Sequence, residues 1–249
     1  MTTSTLAERF RAARRDPALA VLEDFHPLKH ALRFGATVLE VVATEPARIE
    51  SLARLLAPDL VPRLPHATRV PADVLAQLTP DPPRSGILAI ARRPPVAVDA
   101  LLADARPAPV VLLEDPSRLG NIGAAVRVTA AAGAAGLLSL GEHDPWHPAA
   151  LRGAAGLQFA VPVARIDALP ECNRPLVVVD AEGEPLAPGR LPERALLAFG
   201  NERAGVSHAL QEAAALRVGI PMRAGVSSLN LATAVAVVLY AWRFGAPDG

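Results

Sequence analysis

The hydrophobic positions in the second half of the chain fall into short continuous runs rather than the alternation typical of a half-exposed strand. We predict strands at VVLLED (110–115), GLLSL (136–140), PLVVVD (175–180), ALLAFG (195–200) and, more briefly, RVGIPM (217–222). Helical spacing of apolar residues fills the remaining segments, 121–134, 148–156, 206–216 and 227–244. Buried runs separated by helices predict an α/β fold, with a parallel sheet covered by helices on both faces.

The first half repeats this alternation on a smaller scale. Predicted strands at 36–44 and 86–92 enclose predicted helices at 46–57 and 72–78. Ahead of them, the basic segments RFRAARR and HPLKHALRFGA also have helical patterns. These elements predict a small α/β domain. Because the proline-rich stretch Arg92–Pro109 is typical of a linker, we divide the chain into domains 1–100 and 106–249.

Composition narrows the class of protein. Hydrophobic residues are 51% of the 249 and aromatic residues only 4%, so a large core must consist mainly of Ala, Val and Leu. The single cysteine, Cys172, excludes a disulfide framework and a cysteine-rich zinc site. The N-terminal stretch is polar and basic and predicts no secretory signal. The longest apolar run, LATAVAVVLYAW, is shorter than the ~20 residues that span a bilayer. We expect a cytoplasmic protein with no membrane partner and no metal.

Charge adds little to this picture. The 25 basic and 25 acidic residues balance, so the chain has no global field that would attract nucleic acid. Lys29 is the only lysine, and the other basic residues are arginines, whose forked guanidinium suits phosphates. The abundance of Ala and Pro points instead to GC-rich coding as the cause of this bias. Composition alone therefore does not indicate RNA binding.

Three predicted loops carry unusual residues, and all of them follow strands. They are EDPSRLGNIG, FGNERAG and IPMRAGVSSLN, beginning at Glu114, Phe199 and Ile220. In open α/β sheets, ligands bind beyond the carboxyl ends of the strands. Any one of these loops could be an ordinary tight turn. Together they predict a single site at that edge of the sheet.

Arg127 is a conspicuous side chain in the first helix of this half. The helix is apolar on every side, which is typical of a buried helix, and an unpaired buried guanidinium is costly. Arg127 should therefore either pair with an acid such as Glu202 or face a cleft that receives an anion. Gly123 lies one turn earlier and would allow a ligand to approach closely. Asn121 lies where an N-cap belongs.

The closing helix has a similar apolar character. From Leu229 to Trp242 its polar members are Asn230, Thr233 and the Tyr240 hydroxyl. One face would pack on its own sheet, and the remaining apolar surface predicts a symmetric homodimer. Complete burial within one subunit is the alternative. Ser228 and Asn230 begin this helix and could simply cap it.

Other candidate chemistries are weaker. LGNIG is not the G-x-G-x-x-G of dinucleotide sites, and no P-loop is present. EHDPWH contains two histidines but lacks the helical H-E-x-x-H context of a zinc site, so we interpret it as a solvated loop. Ser207 and His208 are adjacent in sequence and lack a nucleophile elbow, which disfavours a hydrolase triad.

The three loops, in this order, resemble the three signature motifs of the SpoU/TrmH-type RNA 2′-O-ribose methyltransferases of the SPOUT superfamily. The first motif, N-x-G with a following arginine, matches GNIGAAVR. The second, F-G-N-E followed by glycine, matches Phe199–Gly205. The third, I-P-M followed by S-L-N, matches Ile220–Met222 and Ser228–Asn230. The resemblance covers Val110–Phe244. The first half is similar, more loosely, to the ribosomal-protein-like RNA-binding domain that often precedes this catalytic domain.

The resemblance implies a deep trefoil knot in which the second and third loops thread through each other around a bent S-adenosylmethionine. It implies an RNA substrate and a homodimer formed through the closing helix. The implied cofactor-binding residues are Phe199, Gly200, Ile220, Met222 and Leu229. The implied catalytic residues are Arg127, Asn121, Glu202, Ser228 and Asn230. Because arginine is a poor general base, we assign Arg127 to clamping phosphate and stabilising the developing alkoxide.

Some features leave alternatives open. Family members often have Glu before S-L-N, where this chain has Ser227, which puts rate or substrate preference in doubt. A noncatalytic RNA-binding member, a SPOUT enzyme acting on a base, and a conventional Rossmann methyltransferase remain alternatives. The N-terminal domain favours ribosomal RNA over transfer RNA. Lys29, Arg33 and Arg84 are candidate RNA contacts in that domain, although each could be an ordinary surface charge.

Overall fold

The computed structural model describes residues 3–187 and 189–245. The ends of the two predicted domains, residues 1–2 and 246–249, lie outside the described residues. The α-helices are α1 Thr3–Arg15, α2 Phe25–Arg33, α3 Pro46–Leu56, α4 Ala72–Leu78, α5 Val98–Ala103, α6 Leu119–Ala132, α7 Pro148–Gly153, α8 His208–Ala213 and α9 Leu231–Gly245. The strands are β1 Leu19–Glu23, β2 Val38–Ala43, β3 Thr68–Arg69, β4 Ile87–Arg92, β5 Val110–Glu114, β6 Gly136–Leu140, β7 Val163–Ile166, β8 Leu176–Pro185, β9 Leu196–Phe199 and β10 Leu216–Gly219.

The chain forms two compact units. The first comprises the chain up to Pro95 together with Trp146–Ala160, and the second comprises Val96–Pro145 and the chain from Val161 onward. Trp146–Ala160 therefore belongs structurally to the first unit, although it follows β6 of the second. Among the described residues, no helix combines the length and the apolar character that crossing a membrane requires.

The first unit is built on a four-stranded sheet in the order β1-β4-β2-β3. β4 runs antiparallel to both β1 and β2, and β3 pairs parallel to β2. Because side chains alternate along a strand, β4 contributes Ile87 and Ala89 to a core with α2 and α3, and Leu88 and Ile90 to a core with α1 and α4. β1 was not predicted, because its apolar run is short and lies between basic helical segments.

A buried acid explains how the segment 146–160 is held in the first unit. Glu23, at the end of β1, is 2% exposed. Its carboxylate accepts hydrogen bonds from Thr79 and from Arg152 of α7, and forms an ion pair with Arg14 of α1 at 2.9 Å. A buried carboxylate needs such partners, since burying it unpaired would be costly. Arg152 thus ties α7 to the first sheet.

The second unit contains a six-stranded sheet in the order β10-β8-β9-β5-β6-β7, and every neighbouring pair is parallel. Val111 of β5 lies opposite Leu137 on one side and Leu197 on the other. The α/β fold with a parallel sheet flanked by helices is confirmed. β7 was not predicted, because VARI is too short and too polar to give a clear pattern.

The predicted elements around the third loop were too long. The strand at 217–222 ends at Gly219, and the closing helix begins at Leu231 instead of 227. The cause is the side chain of Asn230, whose Oδ1 accepts the backbone N–H of Ala232 at 3.0 Å and of Thr233 at 3.4 Å. This cap starts the helix there, as the sequence allowed, and leaves residues 220–230 as a loop.

Candidate functional site

One carboxylate joins the first two of the three loops predicted to form the site. Glu202, in the loop after β9, accepts hydrogen bonds from the backbone N and the Oγ of Ser117, both at 2.8 Å. Its other oxygen accepts from Asn121 Nδ2 at 2.7 Å. Ser117 and Asn121 belong to the loop after β5 and the start of α6. The acid of FGNERAGVS therefore fastens the second loop to the first.

The third loop joins the same network through amide groups. Asn230 Nδ2 donates to Asn121 Oδ1 at 3.0 Å, while Asn230 Oδ1 caps α9. Segments that are 81 and 109 residues apart in sequence are thus linked through the side chain of Asn121. This contact confirms that the three loops converge on one place, as their position after parallel strands predicted.

The protonation of Glu202 follows from these contacts. Burial opposes its charge, but the hydrogen bonds from Ser117 and Asn121 together outweigh burial and lower the pKa of Glu202. A lowered pKa means that the network is complete above the ordinary pKa of glutamate. It is lost only as the pH falls through the lowered value.

The turn after β9 owes its shape to Asn201 and two glycines. Asn201 and Gly205 exchange backbone hydrogen bonds at 3.0 and 2.9 Å, and Asn201 Nδ2 donates to the carbonyl of Asp115 at 2.6 Å. A Cβ placed on Gly200 would lie 2.1 Å from the backbone carbon of Gly205. Only glycine allows this close approach. The turn therefore requires the glycine and the amide side chain that the sequence places there.

Two cavities open where the second and third loops meet β8 and β10. The Gly200 cavity, of about 370 Å³, is lined by residues of Val179–Ala181, Phe199–Arg203 and Ser227–Leu229, among others. The Met222 cavity, also of about 370 Å³, is lined by Gly219–Ser227 and by Ala181, Gly183 and Pro185. Ala181 and Ser227 border both, so the two cavities adjoin. Their volumes are in the range of small-molecule sites.

A third cavity, the Asn121 cavity, adjoins the Gly200 cavity. It has a volume of about 620 Å³, and its lining is polar except for one leucine: Ser117, Arg118, Asn121, Asn201, Glu202, Arg203, Ser228, Leu229 and Asn230. Glu202, Ser228 and Leu229 are among the residues that border both it and the Gly200 cavity. Ligands in the two cavities would therefore lie next to each other, beside Ser228 and Leu229.

The structure brings most of the predicted site residues to these cavities. Phe199, Gly200 and Leu229 line the Gly200 cavity, although the Phe199 side chain itself is buried in the core. Ile220 and Met222 line the Met222 cavity. The lining of the Asn121 cavity includes Asn121, Glu202, Ser228 and Asn230.

The position of Arg127 agrees with neither of its two predicted roles, a buried ion pair or a side chain facing the cleft. Its side chain is exposed on α6, and it does not line any of the three cavities described. The predicted alternative, an ion pair with Glu202, is wrong, since Ser117 and Asn121 occupy that carboxylate. Arg127 follows Asn121 by six residues, which in a helix is roughly 9 Å along the axis and about a third of a turn away from the face of Asn121. The buried arginine of this unit is instead Arg174, 4% exposed.

The candidate RNA contacts of the first half all lie in the first unit. Lys29 and Arg33 are on α2, where Arg33 pairs with Asp59 at 2.6 Å. Lys29 Nζ lies 3.4 Å from His26 Nδ1. Arg84 is exposed just before β4.

Sequence reasoning did not select two residues that the site depends on. Ser117 binds Glu202 through both its backbone and its hydroxyl, and Asn201 holds the turn after β9. Their signal was present, since each is a polar residue in a loop already chosen for its composition. The sequence alone does not show which residues of different loops contact each other.

A parallel α/β sheet whose three carboxyl-end loops enclose adjoining cavities is typical of a protein that binds a cofactor beside a second substrate. The sequence profile of the SpoU rRNA Methylase family matches residues 108–240. Because this match spans more than half of the chain, the chain belongs to that family.

Individual proteins agree with this assignment. The chain is 29% identical over 242 residues to the 23S rRNA (adenosine(1067)-2′-O)-methyltransferase of Streptomyces azureus, covering 92% of this chain and 88% of that protein. It is 30% identical over 253 residues to the 23S rRNA (uridine(2479)-2′-O)-methyltransferase of Streptomyces viridochromogenes, covering 95% and 83%.

The fold agrees with a solved structure as well. The SpoU methyltransferase AviRb from Streptomyces viridochromogenes, in complex with AdoMet, superposes with a TM-score of 0.75 at 23% identity. The match covers 94% of this chain and 96% of that chain. The predicted family is thus confirmed, together with the enzyme class, an RNA methyltransferase, and its cofactor, S-adenosylmethionine.

Replacing Glu202 by Gln should weaken cofactor binding about tenfold, since an amide cannot accept from Ser117 and Asn121 as a carboxylate does. Wild-type affinity should also fall as the pH drops through the lowered pKa of Glu202, whereas the affinity of Glu202→Gln should be flat over that range. Titration calorimetry with S-adenosylmethionine at several pH values measures both. Glu212→Gln, on exposed α8, is the matched control. Unchanged affinity in Glu202→Gln would contradict the role of the network.

Proposed function

We propose that this protein transfers the methyl group of S-adenosylmethionine to a ribose 2′-hydroxyl of RNA, and that its substrate is ribosomal rather than transfer RNA. The hydrogen-bonded path from Glu202 through Asn121 to Asn230 carries this proposal. It joins the three motif loops around a cofactor-sized cavity and a polar neighbour. The curated relatives that act on 23S rRNA support the choice of substrate.

The Gly200 and Met222 cavities fit S-adenosylmethionine. They adjoin at Ala181 and Ser227, so one cofactor molecule would occupy both. Glycine at 200 allows the turn after β9 to pack closely on itself, since a Cβ there would meet the backbone of Gly205. Phe199, Gly200, Ile220, Met222 and Leu229 would hold the cofactor here. We further propose that the loops after β9 and β10 thread through each other as a trefoil knot.

The Asn121 cavity would receive the target ribose. The bound cofactor supplies an electrophilic methyl carbon on a sulfonium. The 2′-oxygen forms the new O–C bond as the C–S bond breaks, and the 2′-proton leaves to an RNA phosphate or to water. Ser228 and Asn230 border the cavity and would position the ribose in line, which supplies much of the acceleration. Glu202 would keep Asn121 in place for this task.

Arg127 and the closing helix point to a homodimer. Thr233, Val237, Tyr240 and Phe244 follow one another at helical spacing and form one exposed stripe on α9. Phe244 is 77% exposed, and α6, which carries Arg127, packs against α9. We propose that a second copy covers this stripe. Because Arg127 lines none of the three described cavities of its own chain, it would then act as the alkoxide-stabilising residue in the partner's Asn121 cavity.

The first unit would select the RNA. We propose that residues 1–100 are a ribosomal-protein-like RNA-binding domain, to which Trp146–Ala160 also belongs, and that 106–249 is otherwise the methyltransferase domain. Arg84, which is exposed, is the better candidate contact, because Arg33 already pairs with Asp59 and Lys29 contacts His26. We propose the cytoplasm as the compartment of this protein, since the bacterial relatives act on 23S rRNA.

The function can be tested with purified protein, S-adenosylmethionine carrying a labelled methyl group, and separate transcripts of 23S, 16S and transfer RNA. We expect label in a ribosomal transcript and, after nuclease digestion, a resistant dinucleotide whose mass shows one ribose methyl group. Label on a base would show that the enzyme methylates a nucleobase instead of a ribose. Tight binding of transcript and cofactor without label in any RNA would indicate a noncatalytic RNA-binding protein.

A further inference from the structure

Two arginines that no motif of the family singles out lie on the walls of the Asn121 cavity. Arg118 immediately precedes α6, in the first loop, and Arg203 lies in the turn after β9, in the second. Both residues are exposed. Within the ranges 3–187 and 189–245, neither guanidinium makes a hydrogen bond or an ion pair. Each is therefore available to a ligand in this cavity.

The acid of the cavity does not neutralise them. Glu202 borders the same cavity, but its oxygens accept from Ser117 and Asn121. By contrast, the acid beside the Gly200 cavity, Asp180, is paired with an arginine. Arg217 donates two hydrogen bonds to one carboxylate oxygen of Asp180, at 2.7 and 2.9 Å. The side chains lining the Asn121 cavity therefore carry two positive charges and one negative charge, so an anion is favoured there.

The start of α6 adds to this charge. The helix has 14 residues, and no side chain caps its N-terminus at Arg118. The N–H groups of its first turn give this end a partial positive charge, which favours anions. Asn121 lies in this first turn and borders the cavity. A guanidinium and a helix terminus thus meet on one wall, and Arg203 extends from a neighbouring loop.

We propose that Arg118 and Arg203 bind the RNA phosphates that flank the target ribose in the same chain. This rests on the proposed function, because it takes the Asn121 cavity as the place of that ribose. Two guanidinium groups from loops joined through Glu202 hold the backbone on each side of one nucleotide, which fixes the 2′-hydroxyl toward the Gly200 cavity. Such a grip requires an unstacked nucleotide, so the substrate is a single-stranded loop or bulge rather than a regular duplex.

Arg203 also borders the Gly200 cavity, whereas Arg118 borders only the Asn121 cavity among the three described. An alternative assignment for Arg203 is therefore the carboxylate of the cofactor. The two assignments differ in what they change. A phosphate contact alters RNA binding and its dependence on salt, whereas a carboxylate contact alters the affinity for S-adenosylmethionine with no RNA present.

The experiment uses the full chain as Arg118→Gln, Arg203→Gln and the double variant, with Arg190→Gln as the matched control. Arg190 is exposed and pairs with Glu184, and it does not line any of the three cavities. For each protein, calorimetry gives the dissociation constant for S-adenosylmethionine. RNA binding to the ribosomal transcript that the wild type methylates is measured at several salt concentrations, and methylation kinetics give KM and kcat.

We expect each single variant to bind RNA about tenfold more weakly and to lower the slope of log affinity against log salt by about one, as loss of one phosphate contact does. KM for RNA should rise, while the dissociation constant for S-adenosylmethionine stays within about twofold of wild type. Arg190→Gln should match wild type throughout.

The outcomes separate the two proposals. If the wild type transfers methyl groups to RNA but both variants keep its KM and salt slope, the phosphate contacts are wrong and the proposed function stands. If Arg203→Gln instead loses affinity for S-adenosylmethionine without RNA, Arg203 belongs to the cofactor and its phosphate role is overturned. If the wild type methylates no RNA, the proposed function fails, and the present proposal falls with it.

Discussion

Replacing Arg127 by Ala should lower kcat for RNA methylation by about 10² to 10³, the usual loss when one group that stabilises developing charge is removed. The affinity for S-adenosylmethionine should be unchanged, because Arg127 lines none of the three cavities of its own chain. Stability should also be unchanged, because the exposed side chain has no ion pair with any described residue. Single-turnover methylation, calorimetry and thermal melting measure the three quantities. Arg127→Lys should recover only part of the rate, since it keeps the charge but loses the planar fork.

Mixed dimers show whether Arg127 acts in its own chain or in its partner. Asn230→Ala should inactivate the cavity of its own chain, and Arg127→Ala should remove the arginine. Co-expressed from separately tagged genes, the two inactive chains should form dimers with one complete site, giving about a quarter of wild-type activity if they assort at random. No recovered activity in purified mixed dimers would contradict action in the partner. Failure to find mixed dimers at all would contradict the homodimer.

The sequence predicted the second sheet well, because buried parallel strands and the helices between them leave distinct patterns. It missed β1, β3 and β7, because all three strands are short and β3 and β7 also contain polar residues. It could not predict that Trp146–Ala160 joins the first unit. That placement rests on the pairing of Arg152 with Glu23, 129 residues apart in sequence, and on the packing of Trp146, Leu151 and Phe159 in the core of the first unit. Such contacts between distant segments leave no signal in either segment alone.

The sequence also predicted the location of the candidate site, although not the contacts within it. Parallel strands place their carboxyl ends at one edge, so three polar loops after three strands had to meet. The hydrogen bonds that join them are between distant residues, and only the structure shows that Glu202 binds Asn121 rather than Arg127. The burial of Arg127 was wrongly predicted because the helix around it is apolar. An apolar helix face can be exposed in one chain and still be covered in an assembly, and no pattern within one sequence distinguishes the two cases.

Replacing Gly200 by Ala should strongly weaken cofactor binding, although it adds only one methyl group. The new Cβ would lie 2.1 Å from the backbone carbon of Gly205 and 2.2 Å from the backbone nitrogen of Val206. Backbone cannot rotate away as a side chain can, so the turn must move. It would carry Asn201 and Glu202 with it and distort the Gly200 cavity. We expect affinity for S-adenosylmethionine to fall at least about a hundredfold, with a loss of about 1–3 kcal/mol in the free energy of unfolding.

Gly120→Ala is the matched control for this effect. Gly120 lies in the first turn of α6, a Cβ there would meet no atom within 4 Å, and it does not line any of the three cavities. Because alanine is favoured over glycine in a helix, this change should raise the free energy of unfolding by up to about 1 kcal/mol and leave cofactor affinity unchanged. Calorimetry and chemical denaturation of both variants test the comparison. If Gly200→Ala binds S-adenosylmethionine as Gly120→Ala does, the close approach of the turn to itself is not what shapes the cofactor site.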